Sequence, residues 1–377
     1  MPPTQILISA GEASGDMYAA RLAAALRARA DVQIFGMGGE RMREAGVDLV
    51  ADCSEVALVG IVEIARKYPA LRRVFKRLLN ESEHRRPRLA ILTDFPGFHL
   101  RLARELKSRR VPCVYFVCPQ FWAWRPWRVN LVRRRFVRGL CIFSFEEEWY
   151  RARGVKADFI GHPLVGNVAA KRTRAEFASA CGLDASKPIV ALLPGSRSGE
   201  IAHHMPTLMQ ACRLIQKDHK VQFVLALAPG VKRSEIAQYL LPEVPMHVVE
   251  DATYDALGAA DLSVVSSGTA TVEAALMDAP MIVVYRLAPL TAAIARWLVR
   301  TPMFAMVNLI VGKRVVPELV QKDFTPARLA SEAIRLLDSP DARAEIRGGL
   351  AEVRQKLGPP GAVERAADLI VSMLNAP

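Results

Sequence analysis

Several things are missing from this sequence, and each absence closes a door. Six cysteines are scattered over 377 residues without a CxxC pair or zinc spacing, which favours a reducing cytoplasm and offers no metal site. There is no GxGxxG stretch and no Walker loop, so neither dinucleotide fingerprint nor P-loop chemistry is indicated. The longest run without a charged residue, 111–124, is fourteen residues, too short to span a bilayer. At the N-terminus the basic-then-apolar order of a signal peptide is lacking, and "QILISAG" reads as a first strand instead. Aromatic residues make up only 7%, yet three of the five tryptophans fall in "CPQFWAWRPWR" at 118–128.

What is present is positive charge, unevenly spread. The formal charge is +13, and residues 1–165 hold 28 Lys/Arg against 17 Asp/Glu, leaving the remainder nearly neutral. One half therefore faces something anionic: nucleic acid, membrane or phosphorylated substrate. With 51% hydrophobic and 24% charged residues, the chain is long enough for two globular domains. Short apolar runs alternate with helix-like stretches, the pattern of parallel sheets flanked by helices. Strands are expected at 5–9, 32–37, 89–93, 113–118 and 140–145, and in a second series at 189–193, 222–227, 246–249, 262–265 and 281–285. The series break near "GHPLVGNVAAKRTRAE". The expected fold is α/β, two doubly wound Rossmann-like domains facing a central cleft. The expected boundaries are 1–165, 166–355 and a C-terminal helix over 356–377 that packs back on the first domain.

In open parallel sheets, ligands sit beyond the carboxyl ends of strands. "IVALLPGSRSGEI" ends a strand with Pro194, Gly195, Ser196 and Arg197, a loop that suits phosphate oxygens; an ordinary turn with a solvated arginine reads the same way. "LSVVSSGTATVEAALMDAP" places Ser266, Ser267, Gly268 and Thr269 at a helix start, with unpaired N–H groups for an anion. Glu273 follows one turn in, suited to a ribose diol or to a capping box. Together these loops favour a nucleotide diphosphate. "ISAGEASGDMYAARL" has the same strand–loop–helix form with Ser14 and Asp16 as natural caps, but its loop carries no lysine or arginine and suits an acceptor sugar better.

"LAILTDFPGFHL" ends an apolar strand with Asp94 in a Pro/Gly turn. Such a carboxylate is either a desolvated general base or an Asx-type turn residue. "LVGIVEIARKYPALRRVFKRLL" is apolar on one side and carries Arg66, Lys67, Arg72, Arg73, Lys76 and Arg77 on the other. It fits a helix on an anionic bilayer as well as a core helix with a solvated face.

These stretches, with "VGIVE", "PQFWAWR", "FIGHPL", "YRLAPLT" and "NLIVGKRVVPELVQ", closely resemble the lipid-A-disaccharide synthases, a family of the glycosyltransferase B fold. The match runs from residue 10 to about 321 in the family's order. It implies transfer of 2,3-diacylglucosamine from UDP-2,3-diacylglucosamine to 2,3-diacylglucosamine 1-phosphate in lipid A (lipopolysaccharide) biosynthesis. The products are a β-1,6 disaccharide 1-phosphate and UDP, with inversion and with no cofactor or metal. By the resemblance Asp94 is the catalytic base. Arg197 and Asn308 contact UDP, Ser267, Gly268 and Thr269 the phosphate, and Glu273 the ribose; Glu200 belongs to the same donor site. Ser14 and Gln120 fall on the acceptor side, with part of the Trp cluster as a wall. At His99 the family usually carries asparagine; an imidazole there either replaces the amide's hydrogen bond or alters the pKa of Asp94.

The implied protein is cytoplasmic and peripherally bound to an anionic inner-membrane surface, with homodimer assembly left open. Rival readings are a UDP-N-acetylglucosamine 2-epimerase or a peptidoglycan-type N-acetylglucosaminyltransferase of the same fold. An RNA-binding protein would explain the charge but leave the nucleotide loops without a purpose, so no nucleic-acid partner is expected.

Overall fold

The computed structural model describes residues 3–56, 61–286 and 303–375, excluding the side chains of 61–67. "VGIVE", most of "YRLAPLT", and the side chains of Arg66 and Lys67 thus lie outside the described residues. The chain forms two compact units, Met1–Val165 with Leu357–Pro377, and Gly166–Lys356.

The first unit holds β1 (Thr4–Ala10), β2 (Val32–Gly38), β3 (Asp48–Asp52), β4 (Leu89–Thr93), β5 (Cys113–Phe116), β6 (Arg138–Cys141) and β7 (Ala157–Phe159) in the order β3-β2-β1-β4-β5-β6-β7. Every described pairing is parallel. All five residues of β4 are buried, as expected where helices cover both faces and a strand reads as an unbroken apolar run. The second unit holds β8 (Ile189–Leu193), β9 (Gln222–Ala226), β10 (Met246–Val249), β11 (Leu262–Ser266), β12 (Met281–Tyr285) and β13 (Glu318–Val320) in the order β10-β9-β8-β11-β12-β13, again parallel.

The expected strand 140–145 proves to be two elements. β6 stops at Cys141 and a helix starts at Ser144, because the Glu146 carboxylate turns back to accept the Phe143 N–H at 3.3 Å. The strand expected over 113–118 ends at Phe116. Missed altogether were β3, β7 and β13, short strands of mixed polarity at or next to the sheet edges. The closing helix Ala362–Asn375 buries Ala362, Val363, Ala366, Ala367, Ile370 and Leu374, a helical stripe. It packs on the helix Ala13–Arg27, and Arg365 donates to the Ile160 carbonyl at 2.9 Å.

Strand order decides where chemistry gathers. In each sheet the order reverses between the first strand and the fourth, and ligands bind at such a switch point. In the first unit this joins the loops after β1 and β4; in the second, those after β8 and β11.

Candidate active site

In the first unit the switch point brings Asp94 against the "GEASGD" loop. The Gly11 N–H donates to Asp94 Oδ1 at 3.0 Å. Oδ2 is enclosed and has no hydrogen-bond partner among the described residues. It faces Gly15 so closely that a Cβ there would lie 1.7 Å away. The residue as a whole is half-buried, but its carboxyl is shut in. Burial, then the neighbouring Glu12 charge, push it well above the usual carboxylate range, offset in part by the amides of Gly11 and Glu12. Such a group holds a proton more firmly than a solvated carboxylate does, as a general base must.

The turn that aims this carboxyl is strained. Asp94 and Phe95 have φ of 54° and 42°, left-handed conformations that cost non-glycine residues about 1–2 kcal/mol each. Two buried donors hold it: the Asp94 carbonyl accepts from His99 Nδ1 at 2.9 Å and from Tyr115 Oη at 2.7 Å. His99 Nε2 in turn meets Ser9 Oγ at 2.8 Å. Burial lowers the His99 pKa to about 4, so the ring stays neutral, donating from Nδ1 and accepting at Nε2. His99 therefore binds the backbone of Asp94. Of the two roles the sequence left open for His99, the geometry shows a hydrogen bond to the turn; Tyr115 carried no sequence signal.

Asp16 is not a cap of its own helix. That helix, Ala13–Arg27, has Glu12 at its N-cap without a side-chain bond. The Asp16 carboxylate instead accepts from the amides of Gly39, Arg41 and Met42 at 2.6, 3.1 and 3.3 Å, capping the helix Glu40–Glu44. Ser14 is half-buried in the first turn, beside Gly15. Gln120, also half-buried, lies in the loop after β5, the strand next to β4. The tryptophans separate. Trp122 donates to Glu146 Oε1 at 2.9 Å and meets Phe145 edge-on. Trp124 packs on Phe121, while Trp127 is 58% exposed.

In the second unit the switch point joins the 194–197 and 266–269 loops. Gly195 has φ 128°, and a Cβ there would lie 2.7 Å from Glu200 Oε2. Glu200 was expected at substrate, but its oxygens hold the loop: Oε2 accepts the Ser196 N–H and Oε1 the Arg197 guanidinium, both at 3.2 Å. Arg197 is exposed at the start of the helix Ser198–Asp218. His204, which the sequence does not single out, ties two strand ends together. Its Nδ1 meets the Pro194 carbonyl at 2.7 Å and its Nε2 accepts the Arg286 N–H at 2.9 Å.

Across the switch, Ser267 Oγ donates to the Phe304 carbonyl at 2.8 Å. Gly268 (φ 149°) has open space where a Cβ would stand, and Thr269 is exposed as the first residue of the helix Thr269–Leu276. Glu273 caps nothing, since it accepts from Tyr254 Oη at 2.9 Å, and burial raises its pKa. Its Oε2 has no hydrogen bond among the described residues, which leaves an acceptor one turn below the helix start.

Asn308, expected at UDP, lies deeper than the loops around it. It is fully buried, and its amide is saturated within the chain. Nδ2 donates to the Val316 carbonyl and Glu318 Oε1 at 3.0 and 2.7 Å; Oδ1 accepts from the amides of Val315 and Val316 at 2.8 and 3.0 Å. No donor remains for a phosphate. Its task is to hold Glu318, which accepts the Phe304 and Ala305 amides beside Ser267.

Two doubly wound parallel sheets, each with glycine-containing loops at its switch point, define a protein of the glycosyltransferase B fold. Solved structures agree. A putative UDP-N-acetylglucosamine 2-epimerase from Listeria monocytogenes matches with TM-score 0.69 and 14% identity, covering 100% of this chain and 97% of that one. MurG from Acinetobacter baumannii matches with TM-score 0.58 and 15% identity, covering 99% and 100%. The model of the lipid-A-disaccharide synthetase family matches residues 6–367. The lipid-A-disaccharide synthase of Solibacter usitatus is 45% identical over 98% of both chains, and that of Myxococcus xanthus 42% identical over 99% of this chain and 98% of its own. The chain belongs to the lipid-A-disaccharide synthase family and is a glycosyltransferase.

Proposed function

We propose that this chain transfers 2,3-diacylglucosamine from its UDP conjugate to the 6-hydroxyl of 2,3-diacylglucosamine 1-phosphate. The observation that carries the reading is the enclosed Asp94 carboxyl at the first switch point, with one oxygen tied to Gly11 and the other unpartnered. Asp94 takes the hydroxyl proton as that oxygen attacks the anomeric carbon from the face opposite UDP. The new glycosidic C–O bond forms as the bond between the anomeric carbon and the β-phosphate oxygen breaks, UDP leaves with that electron pair, and the configuration inverts. Charge on departing UDP is met by Arg197, Ser267, Gly268, Thr269 and the helix start, with Glu273 on the ribose. A fixed donor of this kind contributes about 3–4 kcal/mol at a transition state. Ser14 and Gln120 flank the acceptor, while Glu200 and Asn308 act by shaping the donor loops.

Among the described residues no helix is long and apolar enough to cross a membrane. The acylated substrates are reached from an anionic membrane surface, on which the helix Ile61–Arg85 lays Arg72, Arg73 and Lys76. All three are exposed, as is Tyr68 at 54%. The deciding experiment supplies detergent-dispersed UDP-2,3-diacylglucosamine and the monosaccharide 1-phosphate to purified protein. Disaccharide 1-phosphate and UDP in equal amounts are expected; UDP-sugar turnover without disaccharide would contradict the reading.

A further inference from the structure

In the first unit, the helices Ile61–Arg85, Pro96–Ser108 and Val129–Arg135 line a groove of ≈ 420 Å³. Its apolar lining comes from Phe75, Leu100 and Leu131, and its polar lining is dominated by Arg101, Arg104, Arg128 and Arg135. Arg135 donates to the Leu100 carbonyl at 2.7 Å. Arg101, Arg104 and Arg128 have no carboxylate partner among the described residues. The one carboxylate in the lining, Glu105, is held by Arg109 at 3.3 Å. Four guanidinium groups thus share a small space without neutralisation. Burial, then Arg125 and Arg101, lower the pKa of Arg128, and burial, then Arg104, lower that of Arg135. A structural role would have supplied counter-charges, whereas a site for a multiply charged anion keeps its cations unpaired.

The groove also adjoins the catalytic turn. Gly97, three residues after Asp94, belongs to its lining. Tyr115, whose hydroxyl holds the Asp94 carbonyl, packs on Phe136, the residue after Arg135 of the lining.

We propose that this groove is the subsite for the phosphate of the acylated acceptor. The sugar 1-phosphate sits on Arg101 and Arg128, and the first carbons of an acyl chain lie over Phe75, Leu100 and Leu131. Planar guanidinium forks match a phosphomonoester dianion, and the volume admits a phosphate and a short stretch of chain but not a whole diacyl lipid. The assignment rests on the transfer reaction proposed above, for which it names what distinguishes a phosphorylated acceptor from a neutral one.

The test is a binding comparison that does not depend on turnover. Short-chain 2,3-diacylglucosamine 1-phosphate and its dephosphorylated counterpart are titrated calorimetrically into the unaltered protein and into an Arg101→Gln, Arg128→Gln variant. The unaltered protein is expected to prefer the phosphorylated ligand at least tenfold, and the variant to lose that preference while binding the neutral ligand equally well. An equal preference in both proteins, or none in the unaltered one, would overturn the assignment. Partition onto phosphatidylglycerol vesicles is the second arm. It should be little changed in the variant; a tenfold fall with the phosphate preference intact would make the groove a membrane dock instead. If the double variant does not fold, Arg101→Gln alone, at an exposed position, gives the same comparison. Failure of the unaltered protein to form disaccharide would count against the transfer reaction, leaving the phosphate preference to be judged by binding.

Discussion

His99 Nδ1 donates to the main-chain carbonyl of Asp94 at 2.9 Å, across a turn whose two leading residues are left-handed. The imidazole acts on the base through the backbone, as a positioning residue. Removing the ring strips the carbonyl of one of its two donors and leaves the buried Ser9 hydroxyl without its partner, an unsatisfied group that costs about 1–3 kcal/mol. His99→Ala should therefore lower kcat by at least tenfold with little change in KM for the UDP-sugar. His99→Asn, whose amide can donate to the same carbonyl, should recover most of the loss. Equal kcat in His99→Ala and the unaltered protein would remove the clamp from the account.

Gly15 stands where any side chain would strike the base. With 1.7 Å from a Cβ to Asp94 Oδ2, Gly15→Ala must push the carboxyl aside or shift the helix start. Misplacement of about 1 Å at a reacting group costs on the order of a hundredfold in rate. Steady-state turnover should fall by that order while UDP affinity, measured by calorimetry, stays unchanged. Retained turnover would show that the carboxyl need not occupy this position.

Glu146 gives a pH signature in stability. Fully buried beneath Trp122, its pKa is raised from 4.5 to about 7, first by desolvation. A raised folded pKa means the folded protein binds the extra proton. Glu146's contribution is therefore fully present below pH 4.5 and declines as pH rises to about 7, by about 3 kcal/mol in all. Glu146→Gln keeps an acceptor for Trp122 without the charge. It should raise Tm relative to the unaltered protein at pH 8 and leave it near unchanged at pH 5. Parallel Tm curves across that range would contradict the assignment.

Membrane attachment is read from the helix Ile61–Arg85. Arg77 is already engaged by Glu55 and the Val50 carbonyl, whereas Arg72, Arg73 and Lys76 have no ion pair among the described residues. Basic residues near an anionic surface contribute about 1 kcal/mol each. Replacing Arg72, Arg73 and Lys76 with glutamine should lower partition onto phosphatidylglycerol vesicles by about a hundredfold, more at low salt than at high. Unaltered partition would place the lipid contact elsewhere.

The strand–loop–helix stretches around Gly11, Asp94, Arg197 and Gly268 were legible because each is a local pattern: an apolar run, a glycine or proline, then a helix. Harder to read was what each residue faces. Gly15 makes room for a carboxylate 79 positions away, and that meeting exists only because β1 and β4 are neighbours. Asp16 looks like a local cap, yet it serves amides at 39, 41 and 42 across the next strand. Asn308 has the chemistry of a phosphate ligand, but burial turns all of it inward to 315–318. His204 carries no sequence signal at all, since its partners lie on two different strand ends. Local form follows from local sequence; the direction of a buried polar group follows from strand order.

The central claim is that Asp94 takes the proton from the acceptor hydroxyl. Single-turnover formation of disaccharide by Asp94→Asn, with UDP binding to the same protein measured by calorimetry, tests it most directly. General bases typically contribute 10²–10⁴-fold, so the rate should fall at least about a hundredfold while the UDP Kd stays within about twofold. Near-normal turnover in Asp94→Asn would contradict the account.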